Sequence, residues 1–508
     1  MTSSSDIVLC TLNAKYVHSA FGLRYLYANM GALRERTTLV EFDINQRVLD
    51  LAEAILLLKP RILGLGVYIW NAEPTRELCA LVRRLSPETR IVLGGPEVSH
   101  ETEGQALTEL ADHVICGEAD LAFAALCEAL LAGRPPAEKI LRPSLPDLAT
   151  LVLPYDDYTD RDCQHRVIYV EASRGCPYAC EFCLSSLDEK VRAFPLEGFL
   201  AAMRRLADRG VRQFKLVDRT FNLHIETSRR ILAFFLALSD EIEGLFVHFE
   251  MIPDRLPEAL RELLAQFPPG ALQLEVGVQT LAPVVEENVS RRQNHAKLAD
   301  NFRFLRQHTG VHIHADLIVG LPGETLASFA HGFDTLHALG PHEIQVGMLK
   351  RLRGTPIQRH DLLHRMIYAP TPPYEILRTG TIDFPTMQAL RRFAKYWELF
   401  HNSGRFQDTM RLILDGQSAF ESFYAFSSWV HGEIGRSHGV ALNRQIELCA
   451  RYLRDVRGLD EATIRIALVA DYRREGKKDD LPWLFAPADT IPTRLRSHRR
   501  QDRHHADS

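Results

Sequence analysis

The sequence predicts an α/β protein in which two series of strand–helix units are followed by a mainly helical region. Short β-rich runs alternate with amphipathic helical patterns from residue 6 to residue 349. A linker with three prolines and many acidic residues divides the two series, and the strand pattern stops after residues 369–380. We therefore predict domains over 1–140, 166–368 and 369–488, a linker over 141–165, and a disordered polar tail over 489–508.

The first series contains five strand candidates that are apolar along most of their length. Such strands belong to parallel sheets whose two faces are both covered by helices. Five strand–helix units of this kind predict a doubly wound, flavodoxin-like or Rossmann-like domain, which binds its ligand at the carboxyl edge of the strands. The strand candidates are residues 6–10, 37–43, 61–68, 90–95 and 113–117.

The second series contains six strand candidates with helical segments between them. Six such units form either a partial barrel or a second open sheet, and in both cases the functional end is the carboxyl edge. The candidates are residues 166–173, 211–218, 244–250, 271–280, 311–320 and 342–349.

The composition is that of an ordinary globular protein and excludes several function classes. Hydrophobic residues make up 46% and charged residues 25%, and the formal net charge of −5 gives no basic field for nucleic acid. The longest apolar runs, such as residues 231–238, are too short to cross a bilayer. The start of the chain has no basic segment and no cleavage site, so we predict a cytoplasmic protein without a membrane partner.

Three of the nine cysteines, Cys176, Cys180 and Cys183, lie within eight residues, directly after the first strand of the second series. Thiolates this close suit a metal or iron–sulfur centre. A tetrahedral zinc site needs a fourth ligand, and no second C-x-x-C or suitably spaced histidine follows. Three ligands for a cubane cluster leave one iron without a protein ligand, which is useful if a substrate or cofactor fills that position.

This C-x3-C-x2-C pattern, with the aromatic Phe182 before its last cysteine, resembles the radical S-adenosylmethionine (SAM) superfamily. The resemblance implies a partial (β/α)6, TIM-like barrel and a [4Fe-4S] cluster whose open iron binds SAM. It also implies reductive cleavage of SAM to methionine and a 5′-deoxyadenosyl radical. A low-potential electron donor, flavodoxin or ferredoxin, is then the expected partner.

The same resemblance implies SAM contacts at the carboxyl ends of the barrel strands. The segment 315–325 resembles the part of the family that backs the adenine, where glycine permits close approach of a ligand. An arginine after the fourth strand could pair with the SAM carboxylate, or it could belong to a solvated helix face. Besides Phe182, the predicted contacts are Asp218, Glu250, Gln279, Arg291 and Gly320.

In the first domain, the loops that follow the strands are rich in Gly, Asn, Trp and acidic residues, which predicts a large planar ligand across that edge. The pattern GGPE (94–97) followed by GEAD (117–120) resembles the cobalamin-binding domain that precedes the barrel in a large class of radical SAM enzymes. The predicted cobalamin contacts are Asn13, Tyr68, Trp70, Asn71, Gly94, Gly95, Glu97, Gly117 and Glu118.

The segment around His18 departs from this resemblance. Many cobalamin domains carry D-x-H-x-x-G after the first strand, and that histidine ligates cobalt. Here His18 is present without the Asp and the Gly. Because a metal-ligating histidine usually needs a partner that orients it, we expect a loop or packing role for His18.

Methylthiotransferases offer an alternative, because they also place an α/β domain before a radical SAM barrel. That domain holds three cysteines for a second cluster. The cysteines available here are Cys10, Cys79, Cys116 and Cys127. Cys79 and Cys127 fall within helical patterns, where a small buried residue is the simpler interpretation.

The resemblance as a whole implies a cobalamin-dependent radical SAM enzyme, with methyl transfer to an unactivated carbon as the expected reaction. Cyclisation, ring contraction or rearrangement with the same cofactors stays open, and a non-enzymatic corrinoid or redox sensor is a further alternative. The substrate is expected to be a small molecule or a peptide. The C-terminal helices resemble an uncharacterised domain appended to some members of this class.

Overall fold

The computed structural model describes residues 5–474, so the predicted tail over 489–508 and the end of the helical domain lie outside the described residues. The chain divides into two compact units. Of the described residues, the first unit comprises 5–219, 350–358 and 369–375, and the second comprises 220–349, 359–368 and 376–474.

The first unit contains a six-stranded parallel sheet with the strand order β2-β1-β3-β4-β5-β6. The order reverses between β1 and β3, which defines the switch point of a doubly wound sheet. This confirms the predicted flavodoxin-like arrangement. No sequence pattern indicated β6, because this strand is only two residues long. The strands are β1 (Ile7–Asn13), β2 (Thr37–Asp43), β3 (Ile62–Gly66), β4 (Arg90–Gly94), β5 (His113–Ile115) and β6 (Ile140–Leu141).

Helices cover both faces of this sheet. Val8 and Leu63 belong to one buried cluster, whereas Ile7 and Ile62 belong to another. Because neighbouring residues of a strand point to opposite faces, two buried faces explain why these strands are apolar throughout. The helices are α1 (Phe21–Ala28), α2 (Val48–Leu57), α3 (Ala72–Leu85), α4 (Ala106–Glu109) and α5 (Ala122–Leu131).

The first unit also holds the start of the second strand–helix series. Two of its strands, β7 and β10, pair in parallel, and a short antiparallel pair, β8 and β9, lies between them in the chain. The linker contains a six-residue helix whose N-terminus is capped by Thr159 and Asp162 in a reciprocal capping box. These elements are α6 (Asp160–His165), β7 (Ile168–Val170), β8 (Ser173–Arg174), β9 (Arg192–Ala193), α7 (Leu196–Asp208) and β10 (Gln213–Leu216).

The second unit contains four parallel strands in the order β14-β13-β12-β11. With β7 and β10 they make up the six strands predicted for the second series, and the predicted α/β fold class with a partial barrel is confirmed. The strands are β11 (Phe246–Met251), β12 (Leu272–Gln279), β13 (His312–Val319) and β14 (Glu343–Met348).

The rest of the second unit is mainly helical, as predicted. Its core is a group of buried aromatic side chains. Phe333 contacts Phe393 and Trp397, and Trp397 also contacts Phe423. Within residues 5–474, no helix is both long and apolar enough to span a membrane. The elements are α8 (Ile225–Glu241), α9 (Glu258–Leu264), α10 (Pro283–Asn288), α11 (His295–His308), α12 (Leu326–Ala338), β15 (Ile367–Tyr368), β16 (Ile376–Arg378), α13 (Phe384–Phe400), α14 (Gln407–Ile413), α15 (Ala419–Ile434), α16 (Leu442–Asp455) and α17 (Glu461–Arg474).

Candidate functional site

The three clustered cysteines lie in a loop of the first unit that β8 and β9 close at its base. Cys176 and Cys180 are buried, Cys183 is half-buried, and none of the three forms a disulfide. The N–H of Cys176 donates to the carbonyl oxygen of Asp188 at 2.9 Å, so both ends of the loop are held together.

Only glycine fits at position 175, immediately before the first cysteine. Gly175 has φ of +93°, and a Cβ atom there would lie 2.3 Å from the carbonyl oxygen of Lys190. The loop therefore folds back on itself at a point where a side chain is excluded.

The thiols are close enough to influence one another electrostatically. Burial raises the pKa of Cys176, and the neighbouring Cys183 and Cys180 raise it further. Thiolates in such surroundings are favoured when a cation sits among them. One short loop thus carries three cysteines, the number of protein ligands that a cluster with one open iron takes.

Asp218, a predicted SAM contact, is buried beside this loop. Its carboxylate accepts hydrogen bonds from the N–H of Ala172 at 2.9 Å and the hydroxyl of Ser173 at 2.5 Å. Burial raises the pKa of Asp218 to about 6, although these hydrogen bonds favour its charged form. The side chain thus fixes the end of β7 just before the cysteine loop. Phe182, the other predicted contact of this unit, is half-buried.

A cavity of about 210 Å³ lies at the carboxyl side of the first sheet. Five of the predicted cobalamin contacts line it: Tyr68, Gly94, Gly95, Gly117 and Glu118. Leucine, valine and further glycine residues supply most of the remaining lining, and the wall is therefore largely apolar with close access to the backbone. An apolar wall with glycines at this edge fits part of a large cofactor that approaches the backbone closely.

The remaining predicted cobalamin contacts lie outside the lining of this cavity. Asn71 is fully buried and donates to the carbonyl oxygens of Leu12 and Gly66 at 3.1 Å, while its own oxygen accepts the N–H of Tyr68 at 2.7 Å. It therefore shapes the loop that carries Tyr68. Trp70 is 46% exposed and stacks on the Tyr68 ring with centroids 4.4 Å apart.

Asn13 and Glu97 also have protein partners. The Asn13 amide donates to Glu41 Oε2 at 2.7 Å. Glu97 Oε1 accepts from Arg353 Nε and from the Tyr374 hydroxyl, each at 2.9 Å. Their contacts with cobalamin stay predictions.

Sequence reasoning missed a charged network that joins the cysteine loop to the cavity. Arg174, two residues before Cys176, forms ion pairs with Glu118 at 2.8 Å, Asp120 at 3.0 Å and Glu171 at 2.8 Å. Arg174, Glu118 and Asp120 all line the cavity. Burial raises the pKa of Glu171 to about 7, and Arg174 opposes that shift. The sequence held two signals of this network, the acidic GEAD segment after the fifth strand and the arginine just before the first clustered cysteine.

In the second unit, the predicted SAM contacts lie at or after the ends of β11, β12 and β13. Glu250 is half-buried, and Gln279 has φ of +70° where β12 shifts register against β13. The Arg291 guanidinium contacts the carbonyl oxygen of Gly277, which holds it against the end of β12. Gly320 has φ of +90°, and a Cβ atom there would lie 2.8 Å from Ile376 Cγ2.

Glu324 is a further residue of this region that sequence reasoning did not single out. Its Oε2 accepts the N–H of Gly320 at 3.1 Å, and its Oε1 lies 3.5 Å from the Thr280 hydroxyl. Burial raises the pKa of Glu324 to about 8. The carboxyl group therefore holds the Gly320 turn as a buried hydrogen-bond acceptor.

Strands β12 and β13 also carry a group of polar side chains that could hold a cation. One ligand atom each of Glu275, His314 and Asp316 lies within 4.8 Å of the other two. Glu275 is additionally 2.8 Å from Nε2 of His248.

His18 does have a side-chain partner, so its place outside the cavity, and not the lack of an orienting partner, is what favours the expected packing role. Its Nδ1 lies 2.7 Å from the Tyr169 hydroxyl, and the residue bridges to Val167 through its backbone. Burial lowers the pKa of His18, and Lys15 lowers it further. His18 is not among the residues that line the cavity.

The four cysteines of the first domain do not converge at its functional edge. Cys10, Cys79 and Cys116 belong to the core on one face of the sheet, and Cys127 belongs to the core on the other face. Burial raises the pKa of Cys79 to about 12 and that of Cys10 further still. These thiols are core residues, which disfavours a second cluster of the methylthiotransferase kind.

Three family models match the chain. The B12 binding domain covers residues 7–127, the Radical SAM superfamily covers residues 170–336, and the family described as Protein of unknown function (DUF4080) covers residues 363–506. Residues 170–336 thus match the radical SAM superfamily, and a match to the B12 binding domain precedes them in the chain. The cofactors of these domains are SAM, a [4Fe-4S] cluster and cobalamin, as the sequence predicted.

Curated relatives are similar over part of their length. The cobalamin-dependent radical SAM methyltransferase TokK of Streptomyces tokunonensis is 24% identical over 375 residues, covering 66% of this chain and 53% of the relative. A 2-(S-pantetheinyl)-carbapenam-3-carboxylate methyltransferase of Streptantibioticus cattleyicolor is 26% identical over 323 residues, covering 56% and 46%. The chain thus spans about half the length of these two relatives.

Solved structures share the fold. The methyltransferase TsrM of Kitasatospora setae matches with a TM-score of 0.57 at 19% identity, covering 70% of this chain and 75% of that chain. The cobalamin-dependent SAM radical enzyme OxsB matches with a TM-score of 0.60 at 13% identity, covering 92% and 79%.

Proposed function

We propose that the protein is a cobalamin-dependent radical SAM methyltransferase that acts on an unactivated carbon of a small molecule or peptide. The observation that carries the proposal is the place of Arg174. This residue lines the glycine-rich cavity of the B12 binding domain and stands two residues before the first cysteine of the radical SAM motif. One compact unit therefore contains both candidate cofactor sites. The similarity to relatives named as methyltransferases supports the choice of reaction.

Cys176, Cys180 and Cys183 would hold the cluster, and the cavity lined by Gly94, Gly117 and their neighbours would hold the corrinoid. When bound, the cluster supplies one electron to SAM and the corrinoid carries the methyl group. The protein's own part is to bury the thiols, to hold the loop ends together and to keep water from the cavity through its apolar wall.

The SAM contacts Phe182, Asp218, Glu250, Gln279, Arg291 and Gly320 belong to this proposal, as do Asn13, Tyr68, Trp70, Asn71, Gly95, Glu97 and Glu118 for cobalamin. Glu324 would act on SAM only through Gly320, whose N–H it holds. A flavodoxin or ferredoxin would supply electrons, and a reducing cytoplasm would suit the free thiols.

The test is anaerobic reconstitution of the full chain with iron, sulfide and hydroxocobalamin, followed by SAM and a strong reductant. We expect 5′-deoxyadenosine from the wild-type protein and none from a triple Cys176→Ala, Cys180→Ala, Cys183→Ala variant. Cys163→Ala is the matched control, because Cys163 is also a buried thiol of the first unit. Cleavage of SAM by the triple variant would overturn the proposal.

Methyl transfer itself is tested by mass spectrometry of host metabolites and peptides with and without the gene. Methylation adds one CH₂ to the product and consumes a second SAM as S-adenosylhomocysteine. Products without the added CH₂, formed with 5′-deoxyadenosine but no S-adenosylhomocysteine, would instead indicate a cyclisation or rearrangement with the same cofactors.

A further inference from the structure

Arg174 connects three carboxylates that belong to different parts of the first unit. Its Nη1 and Nη2 lie 3.0 Å from the two oxygens of Asp120, so this contact is bidentate. Nη1 also lies 2.8 Å from Glu118 Oε2, and Nε lies 2.9 Å from Glu171 Oε1. Glu118 and Asp120 follow β5 in the B12 binding domain, whereas Arg174 and Glu171 lie next to the cysteine loop.

A second arginine strengthens the same connection from the other end of the cysteine loop. Arg192 pairs with Arg174 across β8 and β9, and its guanidinium contacts Glu118 and, at 2.9 Å, Asp188. The carbonyl oxygen of Asp188 in turn accepts the N–H of Cys176. Glu118 is therefore held by one arginine from each end of the loop.

The network is shielded from water, so screening weakens it little. The side chains of Arg174, Asp120 and Glu171 are 14%, 6% and 9% exposed. The Arg174 guanidinium also lies 4.7 Å from the centre of the Tyr25 ring and 5.4 Å from that of Phe194. A lysine could not replace these contacts, because an ammonium group lacks the planar fork that binds a carboxylate through two parallel hydrogen bonds.

We propose that Arg174 is a positioning residue that fixes the spacing between the cysteine loop and the cavity of the B12 binding domain. The inference rests on the proposed function, since the spacing matters only if a cluster and a corrinoid occupy these two places. Arg174 lines the wall of the cavity and belongs to the backbone segment that leads into the cysteine loop. Its three carboxylate partners hold the loop in one position relative to the cavity.

The test measures this spacing without using activity. Wild-type protein and the Arg174→Lys variant are loaded with the cluster and with cobalamin, and both cofactors are poised in their paramagnetic states. The dipolar interaction between the two spins is then measured by electron paramagnetic resonance. We expect one well-defined interaction in the wild type and a weaker, broadly distributed one in Arg174→Lys.

Arg24→Lys is the matched control. Arg24 is another buried arginine of the first unit, and it pairs with Glu41 at 2.7 Å and Asp162 at 3.1 Å without lining the cavity. We expect its spin–spin interaction to equal that of the wild type. Asp120→Asn serves as a second variant in case Arg174→Lys does not fold, because it weakens the bidentate contact and leaves Glu118 and Glu171 in place.

The outcomes distinguish a failure of the positioning role of Arg174 from a failure of the proposed function. Equal interactions in the wild type, in Asp120→Asn and in any folded Arg174→Lys would overturn the positioning role and leave the proposed function intact. A wild-type protein that loads no cluster or no cobalamin would overturn the proposed function, and the positioning role with it. A change in Arg24→Lys as large as in Arg174→Lys would show a general loss of stability and would also overturn the inference.

Discussion

The buried carboxyl group of Glu324 holds the backbone N–H of Gly320 at 3.1 Å, four residues earlier in the chain. Gly320 has a left-handed backbone conformation, and the turn after β13 needs a partner for its N–H groups because it is buried. Glu324 supplies that partner from within the same turn. Gly320, which belongs to the segment predicted to back the adenine, is thus held by a carboxyl group of the same turn.

The free energy of unfolding should depend on pH in part through the titration of Glu324. Its folded pKa of about 8 lies above the ordinary value of 4.5, so the folded state binds the proton more tightly. The stability that this group contributes is therefore complete below pH 4.5 and is lost as the pH rises towards 8. We expect Glu324→Gln, measured by urea denaturation, to lose less stability than the wild type between pH 5 and 9. Parallel curves for the two proteins would contradict this assignment.

Gly175→Ala should impair cluster assembly. An added Cβ would meet the carbonyl oxygen of Lys190 at 2.3 Å in a backbone conformation that disfavours alanine. We expect iron and sulfide content after reconstitution to fall by at least half. Gly198→Ala is the control, since Gly198 lies in α7 with open space around it. Full iron content in Gly175→Ala would show that the loop tolerates a different path.

Filling the cavity should block cobalamin without disturbing the cluster. A Cβ at Gly94 would come no closer than 3.6 Å to other atoms, so Gly94→Ala should bind cobalamin. Gly94→Val adds two methyl groups at the wall of the cavity, and we expect binding to weaken about tenfold or more, measured by absorbance titration. Iron content should stay that of the wild type. Unchanged affinity in Gly94→Val would place cobalamin elsewhere.

The lower face of cobalt should not carry His18. Because Nδ1 of His18 lies 2.7 Å from the Tyr169 hydroxyl and the residue is outside the cavity lining, we expect no histidine nitrogen coupling in the spectrum of Co(II)-cobalamin. The electron paramagnetic resonance spectra of the wild type and His18→Ala should therefore coincide. A nitrogen splitting that disappears in His18→Ala would identify it as a ligand.

The helical region should depend on Trp397 for its stability. Trp397 is fully buried and packs edge-to-face on Phe333 and Phe423. Trp397→Ala should lower the free energy of unfolding by about 3–5 kcal/mol, because it removes a large buried side chain and leaves a cavity. Ile466→Ala is the control: Ile466 is 71% exposed, so we expect a change within about 0.5 kcal/mol, both measured by urea denaturation.

The parts of the fold that were predictable are those encoded by local patterns. Apolar runs with helical segments between them gave both strand series, and the spacing of Cys176, Cys180 and Cys183 gave the loop that carries them. The two-residue strand β6 was missed, because it is too short to produce a pattern. The register shift at Gln279 also has no local signature, since it depends on how β12 meets β13.

The site is predictable only where a residue's neighbours in sequence are also its neighbours in space. Glycines at strand ends, such as Gly94 and Gly117, could be assigned to a ligand edge because the edge follows from strand order. The partners of Arg174 could not, since Glu118 and Asp120 precede it by more than 50 residues. Nor could the partners of Glu97, which lie more than 250 residues further along the chain.

The pairing of Arg174 with Arg192 across β8 and β9 has a consequence for biogenesis. Two guanidinium groups facing each other on antiparallel strands repel, and an isolated hairpin of this kind would open. The acidic side chains that form ion pairs with these two arginines include Glu118 and Asp120, which come from the preceding domain. A truncated chain that begins after that domain should therefore fail to close the cysteine loop, so the loop should accept iron only when the amino-terminal half is present and folded.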